Sequence, residues 1–197
     1  MTHRVTSVIV SGVGIRLERF TASLLTDRYV GWLNDPETVR YSENRHRRHT
    51  LNSCASYFTS MADGGHEFYA IMRQTDGCHI GNITIYVDHP NKVGDIAIMI
   101  GEGSARGYGL GREAWCLACE HALTVLGLRK ITAGTMSENR PMLALMAAAS
   151  MKIEAVRPRQ FLLNGHEVDG IYAGRFCAPV PGSAGQGKIV NVKSRCR

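Results

Sequence analysis

The stretch that decides the fold is Arg106-Gly107-Tyr108-Gly109-Leu110-Gly111-Arg112. Three glycines alternate with larger residues, after a strand-like run and before the best-patterned helical stretch of the chain. Glycine lets a backbone curl close to a ligand, and successive N–H groups in such a loop converge on an anion. The N-terminus of the following helix adds partial positive charge, which favours phosphate. No Gly-Lys-Ser/Thr follows, so this is not a Walker loop, and the glycine spacing does not fit a dinucleotide fingerprint.

Downstream, Ala114, Leu117, Ala118, His121, Ala122, Val125 and Leu126 recur at helical spacing, with Gly127 as the cap. Residues 129–136 read as a strand and 141–149 as an alanine-rich helix. Residues 152–163 and 167–176 form a hairpin around Asn164-Gly165. Upstream, strands at about 67–74, 78–87 and 93–101 are joined by turns at Thr75-Asp76-Gly77 and Asp88 to Lys92, so they pair antiparallel. Arg16 to Phe20 alternates like a half-buried strand. Leu25, Tyr29, Trp32 and Leu33 mark a helix that stops at Asn34-Asp35-Pro36. Thr50 caps a second helix with Leu51, Cys54, Ala55, Phe58 and Met61 on one face, ended by Gly64-Gly65. The strand–helix–strand step around the glycine loop implies a parallel pair inside a mixed, mostly antiparallel α/β sheet.

A chain of 197 residues, 44% hydrophobic and 20% charged, fills one core, which excludes disordered, collagenous and coiled-coil classes. The net charge of +6 permits an anionic partner without demanding nucleic acid. No run approaches the roughly 18 apolar residues of a membrane span. Met1 to Ile15 mimics a signal peptide, but Thr6, Ser7, Ser11, Gly12 and Gly14 interrupt it, so it reads as strand and turn. The expectation is a cytoplasmic protein with one domain over 1–176 and a loosely structured tail over 177–197. The scattered Cys54, Cys78, Cys116, Cys119, Cys177 and Cys196 read as reduced thiols.

With this order of elements, the chain resembles the GNAT acetyltransferase superfamily over about residues 12–176. The family signature Gln/Arg-x-x-Gly-x-Gly/Ala is matched by Arg106 to Gly111. Trp32-Leu33-Asn34-Asp35-Pro36-Glu37 is similar to the branch of ribosomal-protein N-terminal acetyltransferases. Tyr41 through Thr50 is similar to acetyltransferases of nucleotide-linked amino sugars. The resemblance implies a splayed strand pair that forms a slot for acetyl-CoA. Met99, Ile100 and Gly101 would line the pantetheine arm through backbone bonds, and a backbone N–H near Ile100 would polarise the thioester carbonyl. Arg106, Gly107, Tyr108, Gly109, Leu110, Gly111 and Arg112 would cradle the pyrophosphate, and Asn139 holds the family's helix-start asparagine position. The implied reaction is direct acetyl transfer to a primary amine, without an acyl-enzyme.

Such an amine must lose a proton before attack, which calls for a general base. Asp95 is the candidate, with a solvated strand-edge aspartate as the alternative; Glu138 and His66 stand behind it. The sequence departs from the family at three places: Met146 replaces a common tyrosine acid, Gly134 a common glutamate, and Ser150-Met151 a Gly-Phe pair. Ser137 could then protonate the departing thiolate.

Arg45-His46-Arg47-Arg48-His49 is either a solvated loop or a docking patch in which Arg45, Arg47 and Arg48 grip a phosphorylated acceptor. No nucleic-acid motif accompanies it. Cys116-x-x-Cys119 with His121 lacks the fourth ligand and second pair of a zinc site and reads as helix packing, so no metal is expected. The acceptor is a small amine or a protein N-terminus. The rival class is a non-catalytic CoA-binding sensor. A homodimer stays open.

Overall fold

The computed structural model describes residues 8–177. Its strands are β1 (Val8–Ser11), β2 (Ile15–Arg19), β3 (Glu67–Arg73), β4 (His79–Asp88), β5 (Val93–Ile100), β6 (Lys130–Met136), β7 (Lys152–Leu163) and β8 (His166–Phe176). The helices are α1 (Asp27–Asn34), α2 (Pro36–Val39), α3 (Leu51–Asp63), α4 (Leu110–Thr124) and α5 (Arg140–Ala148). One sheet takes the order β1-β2-β3-β4-β5-β6-β8-β7, antiparallel except for the β5–β6 pair. This is the mixed, mostly antiparallel architecture expected.

Each face of the sheet has its own core. On one face Ile15, Leu17, Ile71, Ile83, Ile85 and Ile96 pack against Ala114, Trp115, Ala118 and Ala122 of α4. Small alanines let α4 lie close to the isoleucines, and burying each isoleucine side chain contributes roughly 1.5–3 kcal/mol. The other face is aromatic: Phe20, Tyr29, Trp32 and Phe68 gather with Leu33, Cys54 and Met61 beneath α1 and α3. Phe20 and Phe68 stack with centroids 4.2 Å apart.

Local signals act as the sequence implies at most joints. Thr50 Oγ1 accepts from the Ser53 amide at 3.2 Å, and Ser53 Oγ accepts in turn from the Thr50 amide at 2.9 Å. Asn164 and Gly165 both take positive φ, 49° and 84°, as a type I′ hairpin requires. Three details differ. Leu25 precedes α1, whose N-cap is Thr26. Asp35-Pro36 starts α2 as well as ending α1, because Asp35 accepts from the Glu37 and Thr38 amides while proline occupies the first turn. Helix α4 ends at Thr124, so Val125 lies outside its apolar face and is 70% exposed. Of the tail, only Cys177 is among the described residues; its amide donates to the Arg129 carbonyl at 2.9 Å.

The feature that positions a site is the parallel pair. β5 and β6 pair only at Val93–Lys130, Gly94–Ile131 and Asp95–Thr132. Beyond that point β5 stays with β4 up to Ile100, while β6 stays with β8 up to Met136. The two strands therefore separate into a V whose mouth faces the glycine loop.

Candidate functional site

The β5 side of the V offers backbone groups. The Gly101 amide donates to the Ile80 carbonyl at 3.0 Å, and the β4–β5 register is regular from Gly81–Ile100 to Asp88–Val93. Alternation along an antiparallel pair then turns the amides of Met99 and Gly101 toward β4, and those of Ile98 and Ile100 toward the V. The backbone donors of Met99 and Gly101 thus serve the sheet, and the V is offered those of Ile98 and Ile100. Gly101 has another role, since a Cβ there would run into the Trp32 ring. Met99 instead turns its side chain to the aromatic face.

Gly107 and Gly109 have φ of 85° and 79°, a region that penalises residues with a side chain. Nothing lies within 4 Å of where a Cβ would sit on either. Gly109 is the N-cap of α4 without a side-chain cap, so the first amides of the helix remain available to an anion. Helix α4 is anchored elsewhere: the Glu113 carboxylate accepts from the amides of Val13 and Gly14. Tyr108 is 78% exposed on the loop, and Arg112 is exposed as well. Arg106 turns away from the loop. Its guanidinium donates to the Ile100 carbonyl at 3.0 Å and to Thr38 Oγ1 of α2 at 2.6 Å. Thr38 Oγ1 in turn donates to Asp35, which holds that carboxyl below its usual pKa.

Asp95 sits at the vertex of the V and receives a 2.8 Å bond from Thr132 Oγ1 on β6. Its residue surface is solvent-accessible, yet desolvation of the carboxylate raises the pKa against the opposing Thr132 bond. It pairs across from Tyr86, so both side chains emerge on the aromatic face. Glu138 is engaged by His166 at 2.9 Å, and His66 Nδ1 accepts from the Val87 amide at 3.1 Å. Both have local structural partners. Ser137 follows β6, with its amide donating to the Asp169 carbonyl. Asn139 caps α5 through Met142 at 3.2 Å and holds Thr135 Oγ1 at 2.9 Å.

The family departures have packing reasons. Met146 is buried in the α4-side core, and a Cβ on Gly134 would come within 3.0 Å of the Tyr172 ring. Cys119 and His121 are likewise core groups; burial pushes the Cys119 thiol up to about 12, and His121 packs edge-on to Tyr69.

On the aromatic face a cavity of about 520 Å³ runs between α1–α3 and the β4–β5 surface. Tyr29, Tyr57, Asn82, Thr84 and Tyr86 line it, and Arg47, Arg48 and His49 reach it from the basic run. The hydroxyls of Tyr57 and Tyr86 meet at 2.6 Å. A second, wider cavity of about 1080 Å³ between α2 and the β7–β8 turn shares Arg47 and Arg48. Arg45 is spoken for: it bonds the Ser42 carbonyl at 2.9 Å, Glu43 at 3.0 Å and the Leu162 carbonyl at 3.3 Å. The basic run is thus one structural strut and two exposed arginines.

Sequence reading did not single out Asn82, Thr84 and Tyr86. They alternate with Ile83 and Ile85, a two-faced pattern, but only the sheet order reveals that their polar face lies under α1 and α3.

Residues 15–152 match the family model of the acetyltransferase (GNAT) domain. The alpha/beta-tubulin-N-acetyltransferase 9 of Mus musculus is 32% identical over 80 residues, 39% of this chain and 33% of that protein. The chain therefore matches about a third of the length of this curated relative. The spermidine N-acetyltransferase from Vibrio cholerae, solved with CoA and spermine, superposes with a TM-score of 0.74 at 16% identity, over 83% of this chain and 96% of that one. The ribosomal-protein-S5-alanine acetyltransferase from Vibrio fischeri gives 0.68 at 15%, over 85% and 96%. At such identity these structures establish the common fold. Among the described residues no helix is long and apolar enough to cross a membrane.

Proposed function

Because the chain belongs to the GNAT acetyltransferase family, we propose that it transfers an acetyl group from acetyl-CoA directly to a primary amine. The observation that carries this reading is the V between β5 and β6, which opens toward the Gly107–Gly109 loop on one side and toward the 520 Å³ cavity on the other.

The chain's residues fit the cofactor at three levels. The amides of residues 107–112 would hold the pyrophosphate at the head of α4, where positive-φ glycines leave the approach open. The outward amides and carbonyls of Ile98 and Ile100 supply the strand edge for the pantetheine arm. For that edge to be shared, Arg106 must release the Ile100 carbonyl. Acetyl-CoA supplies a thioester whose carbonyl carbon takes the amine lone pair as the C–S bond breaks. An Ile98 or Ile100 N–H would stabilise the charge that develops on the carbonyl oxygen.

Asp95 would act as the base, directly or through water, accepting a proton from the ammonium before attack. Desolvation raises the pKa of its carboxyl, which strengthens it as a proton acceptor. As the amide forms, the nitrogen sheds its second proton and the thiolate takes one up; Ser137, just past β6, is the hydroxyl proposed to relay that proton, accepting one from the nitrogen side as it gives its own to the leaving sulfur.

Two acceptor classes remain. Arg47 and Arg48 at the cavity mouth favour a small amine that carries phosphate, such as a nucleotide-linked amino sugar. The wider adjoining cavity favours the second reading, a protein N-terminus in the manner of the ribosomal-protein branch. A thiol-release assay across an amine panel tests the proposal. Acceptor-dependent release of CoA is the expected result; tight acetyl-CoA binding without turnover on any amine would make the chain a sensor.

A further inference from the structure

The 520 Å³ and 1080 Å³ cavities meet at Arg47 and Arg48, which line both. The backbone that carries this pair is pinned on either side. Asn34 Oδ1 accepts from the His49 amide at 2.8 Å, and Asn34 Nδ2 donates to the His49 carbonyl at 2.9 Å. On the other side Arg45 donates to the Ser42 and Leu162 carbonyls. The two exposed guanidinium groups are thus presented from a fixed stretch of chain, which lowers the ordering cost of binding an anion.

The wider cavity is basic. Arg40, Arg45, Arg47 and Arg48 line it, and Glu37 is its one carboxylate among the described residues. Arg45 pairs with Glu43 at 3.0 Å. Arg16, Arg19, Arg73, Arg159 and Arg175 also have carboxylate partners. Arg40, Arg47 and Arg48 form no ion pair among the described residues, and Arg40 lies over the Tyr41 ring at 5.3 Å. Unpaired cations gathered in one recess draw anions to it.

Pockets for small ligands span roughly 300–1,000 Å³. The narrower cavity falls within that range, so a small phosphorylated amine would fill it and leave the wider one empty. Arg40 lines the wider cavity and not the narrower one, so positive charge continues past the shared pair. A nucleotide would bring a base, and among the described residues no Phe, Tyr or Trp lines the wider cavity to stack on it. An extended acidic polypeptide meets both conditions, with length to run through two cavities and charge at successive residues. Ala97 marks the β5 end of the narrower cavity. It lies two residues from Asp95 on the same face of the strand, roughly 7 Å along it, a gap that one bridging water closes.

Resting on the acetyl-transfer reading, we propose that the acceptor is a protein N-terminus followed by acidic residues. The N-terminal nitrogen lies beside Ala97, and the chain leaves past Arg47 and Arg48. Its aspartate or glutamate side chains meet Arg40, Arg47 and Arg48 in the wider cavity. Arg40 is then a specificity-determining residue that touches only the part of the acceptor remote from the chemistry.

The probes are short peptides with a free N-terminal alanine, followed by aspartate and glutamate, by asparagine and glutamine, or by lysine. Glucosamine 6-phosphate and UDP-glucosamine represent the phosphorylated small amines. Turnover is read as CoA release, and binding as the anisotropy of C-terminally labelled peptides with CoA present. The wild type should favour the acidic peptide over its amide counterpart roughly 10-fold at low salt, and added salt should shrink that ratio. Arg40→Ala should cut the ratio roughly 2- to 5-fold. Arg40→Glu should abolish it and favour the lysine peptide, a reversal that simple damage to the fold does not produce. Acetyl-CoA affinity should hold in both variants. Equal handling of the acidic and amide peptides would overturn the inference, as would preference for either sugar phosphate or an Arg40→Glu variant that keeps the wild-type order. If no probe releases CoA, the acetyl-transfer reading fails, and anisotropy decides the docking surface by itself. Tighter binding of the acidic peptide, lost in Arg40→Glu, supports that surface, and equal binding overturns it.

Discussion

The two faces of the sheet solve different problems with different materials. The α4 face is aliphatic, and the site beside it is built from backbone: glycine amides, a helix start and the unpaired edge of β5. The α1–α3 face is aromatic, and its cavity is built from side chains of residues far apart in sequence, from Tyr29 to Met99. A backbone site accepts a cofactor with little dependence on which residues surround it. A side-chain site sets which molecule is acetylated. On the proposed acetyl-transfer reading, cofactor chemistry falls to the V and acceptor choice to the cavity, and variants should separate the two.

The largest effect is expected at Gly109. Gly109→Asp forces a side chain into a left-handed conformation and sets a carboxylate against phosphate. Calorimetry should detect no acetyl-CoA binding in the folded variant, and undiminished affinity would break the division at its cofactor half. Next comes Asp95→Asn at the joint between the faces. Turnover should fall roughly 10²–10⁴-fold with acetyl-CoA affinity retained, and the loss should be greatest at low pH, where the amine is most protonated. Near-normal rates across pH would return Asp95 to a strand-edge role.

Replacing Arg47 and Arg48 together with alanine should raise acceptor KM roughly 10- to 100-fold for a phosphorylated amine and leave that of acetyl-CoA alone. Added salt should shrink the difference, because both guanidinium groups are exposed. Equal kinetics for parent and variant on every active acceptor would make the run a solvated loop. The smallest effect concerns stability. Burial among Phe20, Tyr29 and Trp32 lowers the His79 pKa to about 4. The unfolded chain, with an ordinary value near 6.5, then binds more protons as pH falls. Stability should drop by about 2 kcal/mol between pH 7 and pH 5, and urea titrations of His79→Leu should show a flatter profile. An unchanged pH slope would remove His79 as the cause.

What was legible in the sequence follows the same line. Element order, the place of the glycine loop ahead of α4, the Thr50 cap and the Asn164-Gly165 turn are local signals, and each lies where the sequence puts it. The α1–α2 boundary was less clear because Asp35-Pro36 both ends one helix and begins another. Which amides of Met99, Ile100 and Gly101 face the V depends on register with β4, which the sequence does not state. Arg45 and Arg47 look alike in the chain. The bonds of Arg45 to the Ser42 carbonyl, to Glu43 and to the Leu162 carbonyl, the last on a strand more than a hundred residues away, distinguish the strut from the exposed arginine. Asn82 was invisible for the same reason: its polarity is ordinary for a strand until α1 and α3 cover it.

The central claim is that the V between β5 and β6 holds the cofactor, and a crystal structure with acetyl-CoA bound tests it most directly. The account predicts pyrophosphate oxygens on amides of residues 107–112 and the pantetheine arm along Ile98 and Ile100. Arg106 should have left the Ile100 carbonyl. Pyrophosphate held instead by Arg47 and Arg48, with the V closed, would contradict it.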